Sequence, residues 1–189
     1  MRVTTLVVFL LAGTLTLASR LPAQAELRVS ELAVHLNTHE VTVHAVLLDA
    51  VPAEFLEGLH SGLPTHLRIV IELFRYNRFR PDSRVNRAIL ERTLTYNVVT
   101  KEYKVSLGPS DARSPVTTRE FRDAERILSD IQGVKLTPAT SLDLAETYYV
   151  RVNAETALNG DDSWMARMAG LAARASRQSD YRTLTTSPR

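Results

Sequence analysis

Between residues 31 and 48 apolar and polar side chains alternate with a period of two: Leu32, Val34 and Leu36, then Val41, Val43, Ala45 and Leu47. Such alternation marks a strand with one buried face. A turn over Asn37 to Glu40 sets Leu36 opposite Val41, Val34 opposite Val43 and Leu32 opposite Ala45. Both apolar sets then share a face, and a slip of one residue would split them. The period changes at Pro52, where Phe55, Leu56 and Leu59 cluster in a short helical turn that Gly62 ends. Period two returns with Leu67, Ile69, Ile71 and Leu73, passes a turn at Pro81-Asp82, and comes back through Ala88, Leu90, Leu94 and Tyr96. Pairing Leu73 with Ala88 keeps these apolar positions together and leaves Arg68, Glu72, Phe74, Arg87 and Glu91 on the other face. A turn from Tyr96 to Tyr103 leads into Val105 and Leu107, and Asn97 suits it because its side chain can bond nearby backbone.

Further on, Phe121, Ala124, Ile127, Leu128 and Ile131 recur at helical spacing, with Thr117 and Glu120 as a capping box and Gly133 as the stop. Tyr148, Val150, Val152 and Ala154 form a last strand. Asp161 or Asp162 then caps a helix whose stripe is Trp164, Met168, Leu171 and Ala175. The pattern predicts an α+β fold, mainly antiparallel β, of about six strands with two amphipathic helices and the short helical turn. It leaves an open sheet and a two-layer sandwich equally open.

Composition changes this picture at the N-terminus. Residues 1–25 carry one early charge, Arg2, an apolar run from Leu6 to Ala18 and a closing Ala23-Gln24-Ala25, the arrangement of a cleaved signal peptide. The expected organisation is a leader over 1–25, a single domain over 26–175 and an unstructured tail over 176–189. The chain has 23 basic and 21 acidic residues; Arg2 and Arg20 leave with the leader, so the processed chain has 21 of each. The pI near 9.1 therefore belongs to the precursor and does not point to nucleic acid. Cysteine is absent, which excludes disulfides, thiolate nucleophiles and thiolate metal sites.

Few residues suggest chemistry. In the first hairpin's register His35 and His44 are diagonal neighbours on the face away from the core, within reach of one shared zinc or copper ion. The plain alternative is two polar residues on a solvated face. His60 and His66 flank a loop without evident partners. The stretch from Arg68 to Arg87 holds six arginines and three aromatics. Cross-strand carboxylates account for half of the arginines, leaving Arg78, Arg80 and Arg84 against Asp82, beside Tyr76 and Phe79, as a contact surface for a ligand or partner. The plain alternative there is a solvated loop. No serine-hydrolase elbow, zinc-protease motif or phosphate-cradling glycine loop occurs, so no catalytic residue and no obligatory cofactor are expected.

The order of these elements, with Ser61-Gly62-Leu63-Pro64 before a strand ending in Glu72-Leu73-Phe74-Arg75, and the turn from Tyr96 to Tyr103, resembles the bacterial domain of unknown function 4390 family over about Leu32 to Glu155. Similar proteins have an aspartate where Asn97 stands, and a longer, proline-rich stretch before the tryptophan. The resemblance supplies no activity. It implies an exported envelope protein, periplasmic or envelope-associated, and points weakly to sensor-kinase signalling. The expected function is a non-enzymatic binding or interaction domain, an accessory to a membrane sensor, whose partner is another envelope or membrane protein. The membrane itself would be touched only through an uncleaved leader or through the arginines Arg167, Arg174 and Arg177 of the last helix. A metal-binding protein and a structural envelope component are the alternatives.

Overall fold

A computed structural model describes residues 27–109, 111, 113–143 and 145–158, and the backbone of 174–178 and 182–184. The first hairpin, β1 (Arg28–Leu36) and β2 (Glu40–Leu48), has the register the pattern demands: Leu36 faces Val41, Val34 faces Val43 and Ala33 faces His44. The Asn37 side chain builds the turn, its Oδ1 accepting from the backbone N–H groups of His39 and Glu40, both at 2.8 Å. A bulge between Ser30 and Ala33, with Glu31 at φ 49°, bends β1 beyond that point.

After β2, a 3-10 turn (Ala53–Phe55) runs into a short helix, α1 (Leu56–His60), and both deliver buried apolar side chains, Phe55 and Leu59. Then comes the centre of the large sheet. β3 (Thr65–Arg75) is flanked by β4 (Ser83–Asn97) and β8 (Tyr148–Leu158), with β5 (Glu102–Leu107) and β6 (Val116–Thr118) continuing beyond β4. Leu67, Ile69, Ile71 and Leu73 of β3, with Val150, Val152 and Ala154 of β8, are buried as period two requires. Each leucine, isoleucine and valine among them contributes roughly 1.5–3 kcal/mol.

The β3–β4 register differs from the expectation by two residues: Leu73 faces Asn86, Ile71 faces Ala88 and Leu67 faces Arg92. A shift of two preserves the faces, so hydrophobic phase could not detect it. The loop sets it. Asn77 donates its backbone N–H to Asp82 Oδ1 at 2.9 Å and its amide to Pro81 O at 3.3 Å, and a bulge follows at Leu73/Phe74.

The second correction concerns the helix. α2 spans Phe121–Ser129 only, and Asp130 passes straight into β7 (Asp130–Pro138), which pairs with β2. Ile131 is therefore a buried strand residue, and Gly133 lies within β7 with φ 62°, not at a helix end. Glu120 is the N-cap residue but makes no side-chain cap, and Thr117 lies in β6, so the capping box does not form. β1, β2 and β7 make a three-stranded sheet. Its Val41, Val43, Ala45 and Leu47 join the core face of the large sheet, with Ala124 and Leu128 of α2, in one buried cluster. The fold is α+β with antiparallel strands in two sheets, which resolves the choice between open sheet and sandwich in favour of two layers.

Two further strands, β9 (Arg174–Gln178) and β10 (Arg182–Leu184), pair with β8 on the side away from β3. These replace part of the expected tail and the end of the expected last helix: Arg174, Ala175 and Arg177 lie in β9. The rest of that helix, including Trp164, and the leader lie outside the described residues.

Gly108 marks a close approach. A Cβ there would sit 2.7 Å from the Glu91 carbonyl oxygen, whereas one on Gly133 would meet nothing within 4 Å. In urea unfolding, Gly108→Ala should cost about 1–3 kcal/mol through overpacking against backbone. Gly133→Ala should cost about 1–2 kcal/mol from left-handed backbone alone.

Candidate functional site

The outer face of the large sheet gathers the charges of the arginine-rich stretch. Glu72 on β3 is buried, and its two carboxylate oxygens are taken by Arg84 Nη1 at 3.1 Å and Arg151 Nη2 at 2.8 Å. Burial alone would raise the Glu72 pKa, but the hydrogen bonds from Arg151 and Arg84 outweigh it and hold the carboxyl below its usual range. Arg151 also covers the Phe74 ring at 4.6 Å, and Phe74 stacks on Tyr149 with centroids 5.3 Å apart. Arg84, half exposed, is therefore ion-paired rather than uncompensated as the pattern left it. Nor does Arg87 compensate Glu72: it stands opposite on β4, but the oxygens are already used. Of the six arginines from Arg68 to Arg87, Arg68 and Arg84 make ion pairs, with Glu91 and Glu72.

The tip of the β3–β4 hairpin is what remains. Phe79 is 88% exposed and Tyr76 51% exposed. The Arg78 guanidinium lies 5.4 Å from the Phe79 ring centre, and among the described residues no carboxylate is within ion-pair distance of Arg78 or Arg80. Asp82 faces inward to the loop instead, held by Asn77 N–H and by the Tyr149 hydroxyl at 2.7 Å, which together lower its pKa. The tip is thus a firm loop carrying two exposed aromatics and two uncompensated cations.

His35 and His44 do meet, edge to face, with ring centres 5.3 Å apart. His44 Nδ1 accepts the Gly133 N–H at 3.4 Å. Among the described residues no group of three or more His, Asp and Glu residues of metal-binding size exists. The other two histidines have partners the pattern did not reveal. His60 Nε2 and the Tyr103 hydroxyl lie 2.7 Å apart, within an aromatic cluster of Tyr96, Tyr103 and Phe121. Burial raises the Tyr103 pKa, and the neighbouring Tyr96 and Glu120 charges add to it. His66 Nδ1 lies 3.2 Å from Thr93 Oγ1.

The residue that pattern reading missed is Arg92. It occupies a core-facing position of β4, opposite Leu67, and is only 2% exposed. Its Nη1 donates to the Leu128 carbonyl at 2.6 Å and, more weakly, to that of Ile127 at 3.4 Å, so it satisfies carbonyls of the last turn of α2. Its Nη2 donates to Asp111 Oδ2 at 3.1 Å. Asp111 also accepts from Arg113 Nη2 at 2.7 Å and Nε at 2.9 Å. Those bonds from Arg113, with Arg113 and Arg92 as nearby charges, bring the Asp111 pKa down to about 2 against the opposing effect of burial. Arg92's own pKa is pulled down by burial first and by Arg113 next, with Asp111 opposing both. The signal available in the sequence was a break in phase: an arginine where Leu90 and Leu94 predict an apolar side chain.

Arg92 lines a cleft of about 710 Å³ at the mouth between the two sheets, bordered by β4 from Arg87 to Leu90 and by β7 from Gln132 to Lys135. Fold and surfaces together define a two-sheet antiparallel domain with an aromatic, cationic hairpin tip and an arginine-floored cleft. The chain belongs to the family described as a domain of unknown function, DUF4390, whose model matches residues 24–183. No curated relative and no solved structure matches it. Asn97, where the resemblance leads to an expectation of aspartate, accepts the N–H groups of Val99 at 2.9 Å and Thr100 at 3.1 Å on its Oδ1. An aspartate oxygen can make both bonds, so a turn-forming role is kept.

Asp111 predicts a pH effect. Its folded pKa, about 2, lies below the usual aspartate value of 3.8, so its stabilisation is complete above about pH 4 and is lost as pH falls through 2. That shift corresponds to about 2 kcal/mol. Urea unfolding from pH 6 to pH 2 should show this loss. Asp111→Asn should remove that pH-dependent component and cost about 3–5 kcal/mol at pH 7, because Arg92 is left buried without its counter-charge.

Proposed function

We propose that the chain is a non-enzymatic interaction domain of the bacterial envelope that uses the β3–β4 tip to contact another envelope or membrane protein, as an accessory to a membrane sensor. The observation that carries this reading is the combination at the tip: Phe79 and Tyr76 exposed, and Arg78 and Arg80 without counter-charges among the described residues. Aromatic and arginine side chains supply most of the energy at protein contacts. An exposed phenylalanine on a loop braced by Asn77, Asp82 and Tyr149 loses little conformational freedom on binding. The leader-like pattern of residues 1–25 supports the envelope setting.

The test is affinity capture from envelope extracts with the wild-type chain, Phe79→Ala and the double variant Arg78→Ala/Arg80→Ala. A protein retained by wild type should be lost, or reduced at least tenfold, with both variants, while their unfolding midpoints stay within about 0.5 kcal/mol of wild type. Identical retained proteins for all three chains would remove the tip from the proposal.

A further inference from the structure

The cleft over Arg92 is bordered by two strand edges that have no strand beside them among the described residues. The β4–β5 ladder ends at Arg92 opposite Leu107, closed by a last bond from Gly108 N–H to Glu91 C=O at 2.7 Å. β4 nevertheless runs back to Ser83, so its edge from Glu91 toward Val85 is open on that side. β7 is the edge strand of the small sheet. Side chains bridge the gap at each end. Asn86 accepts the Arg87 N–H with Oδ1 and donates Nδ2 to the Leu136 carbonyl; Arg113 Nη2 donates to the Asp130 carbonyl at 3.2 Å.

The direction of the open backbone groups follows from strand alternation. Glu91 C=O and Arg87 N–H both point to the β5 side, since Gly108 and the Asn86 amide take them there. Ile89, between them, must present its N–H and C=O to the same side. The open edge from Arg87 to Glu91 is about 13 Å long at roughly 3.3 Å per residue. Ala88, Ile89, Leu90 and Val134 give the cleft apolar lining, and its charged residues are Arg87, Arg92, Arg113 and Lys135 against Asp111. Lys135 pairs with Glu40 at 3.1 Å and Asp111 is shared by Arg92 and Arg113, so positive charge is in excess. Arg92 Nε is buried with no acceptor.

From this we infer that the cleft binds an extended, acidic peptide segment of a partner protein, which adds as a strand to the open edge of β4 in line with β5. Backbone pairing at Ile89 holds the segment, apolar side chains turn toward Ala88 and Leu90 on the core-facing side, and the alternating carboxylates, on the opposite face, meet the exposed Arg87. Alternating N–H and C=O groups along an apolar strip match a peptide backbone. This surface is separate from the hairpin tip, and the inference does not depend on the tip's role.

The probe is a fluorescein-labelled eight-residue peptide alternating valine and glutamate, compared with one alternating valine and lysine. Anisotropy titration of the purified chain should give at least tenfold tighter binding of the acidic peptide. Amide exchange at Ile89 should slow at least tenfold when it is bound. Arg87→Glu, at an exposed position, should weaken the acidic peptide at least tenfold with an unchanged melting temperature, whereas Phe79→Ala should leave its affinity unaltered. Equal affinity for the two peptides, absence of binding, or binding that leaves Ile89 exchange unchanged would each overturn the inference.

Discussion

A guanidinium removed from water must find acceptors for its donors and a charge to offset its own, and the fold around Arg92 is organised by that requirement. Two separate segments answer it. The last turn of α2 offers the carbonyls of Ile127 and Leu128, and the loop after β5 offers Asp111. Arg113, which follows Asp111 in the same loop, ties that carboxylate to the start of β7 through the Asp130 carbonyl. Helix carbonyls that would otherwise be orphaned are met by a cation, the favourable sign at a C-terminus. α2 can therefore stop at Ser129 and pass into β7 without a glycine cap. Arg92 thus joins the large sheet, the helix and the small sheet at one point.

The outer face solves the reverse problem. Glu72 is a buried carboxylate between two guanidiniums, one from the returning strand and one from β8. That pairing neutralises part of the hairpin body's charge and, among the described residues, leaves Arg75 and Arg87 as well as the tip arginines without an ion pair. Ionic contacts at exposed positions, such as Arg119 with Glu102, contribute little by comparison.

Much of the fold was legible in the sequence because period two is a strong signal where one face is buried. All six expected strands exist, and the first hairpin has its expected register. The β3–β4 register was not legible, since a two-residue shift leaves the faces unchanged. β7 was hidden because Ile131 continues the helical spacing of Phe121, Ala124 and Leu128, and Gly133 imitates a helix stop. The apolar pattern cannot say where a helix yields to a strand when both bury the same side. For the surfaces, the aromatic tip was visible as composition, and His35 with His44 as register. The pairing of Arg84 was not legible, because its carboxylate, Glu72, lies across the shifted register. The cleft was invisible: it depends on a buried arginine that breaks the apolar phase and on partners 19 to 36 residues away in the chain.

The open edge of β4 is a consequence of burying Arg92. To bring Asp111 to the guanidinium, the chain must leave the sheet soon after Leu107. It does so at Gly108, whose carbonyl accepts the Asp111 N–H at 2.9 Å in a tight turn. Gly108 is the residue that can approach the Glu91 carbonyl this closely, because a Cβ there would collide with it. β5 therefore ends while β4 continues for nine more residues toward Ser83. Exposed strand edges invite pairing with other chains, and proteins usually shorten, cover or charge them. Here the Asn86 amide covers one end, the Arg113 side chain bridges the other, and the groups of Ile89 between them stay open. The buried cation that joins the two layers is also what denies β4 its neighbour. Any substitution that lets Arg92 reach solvent would relax the turn at Gly108 as well as the helix end, so the core and the cleft share one electrostatic cause.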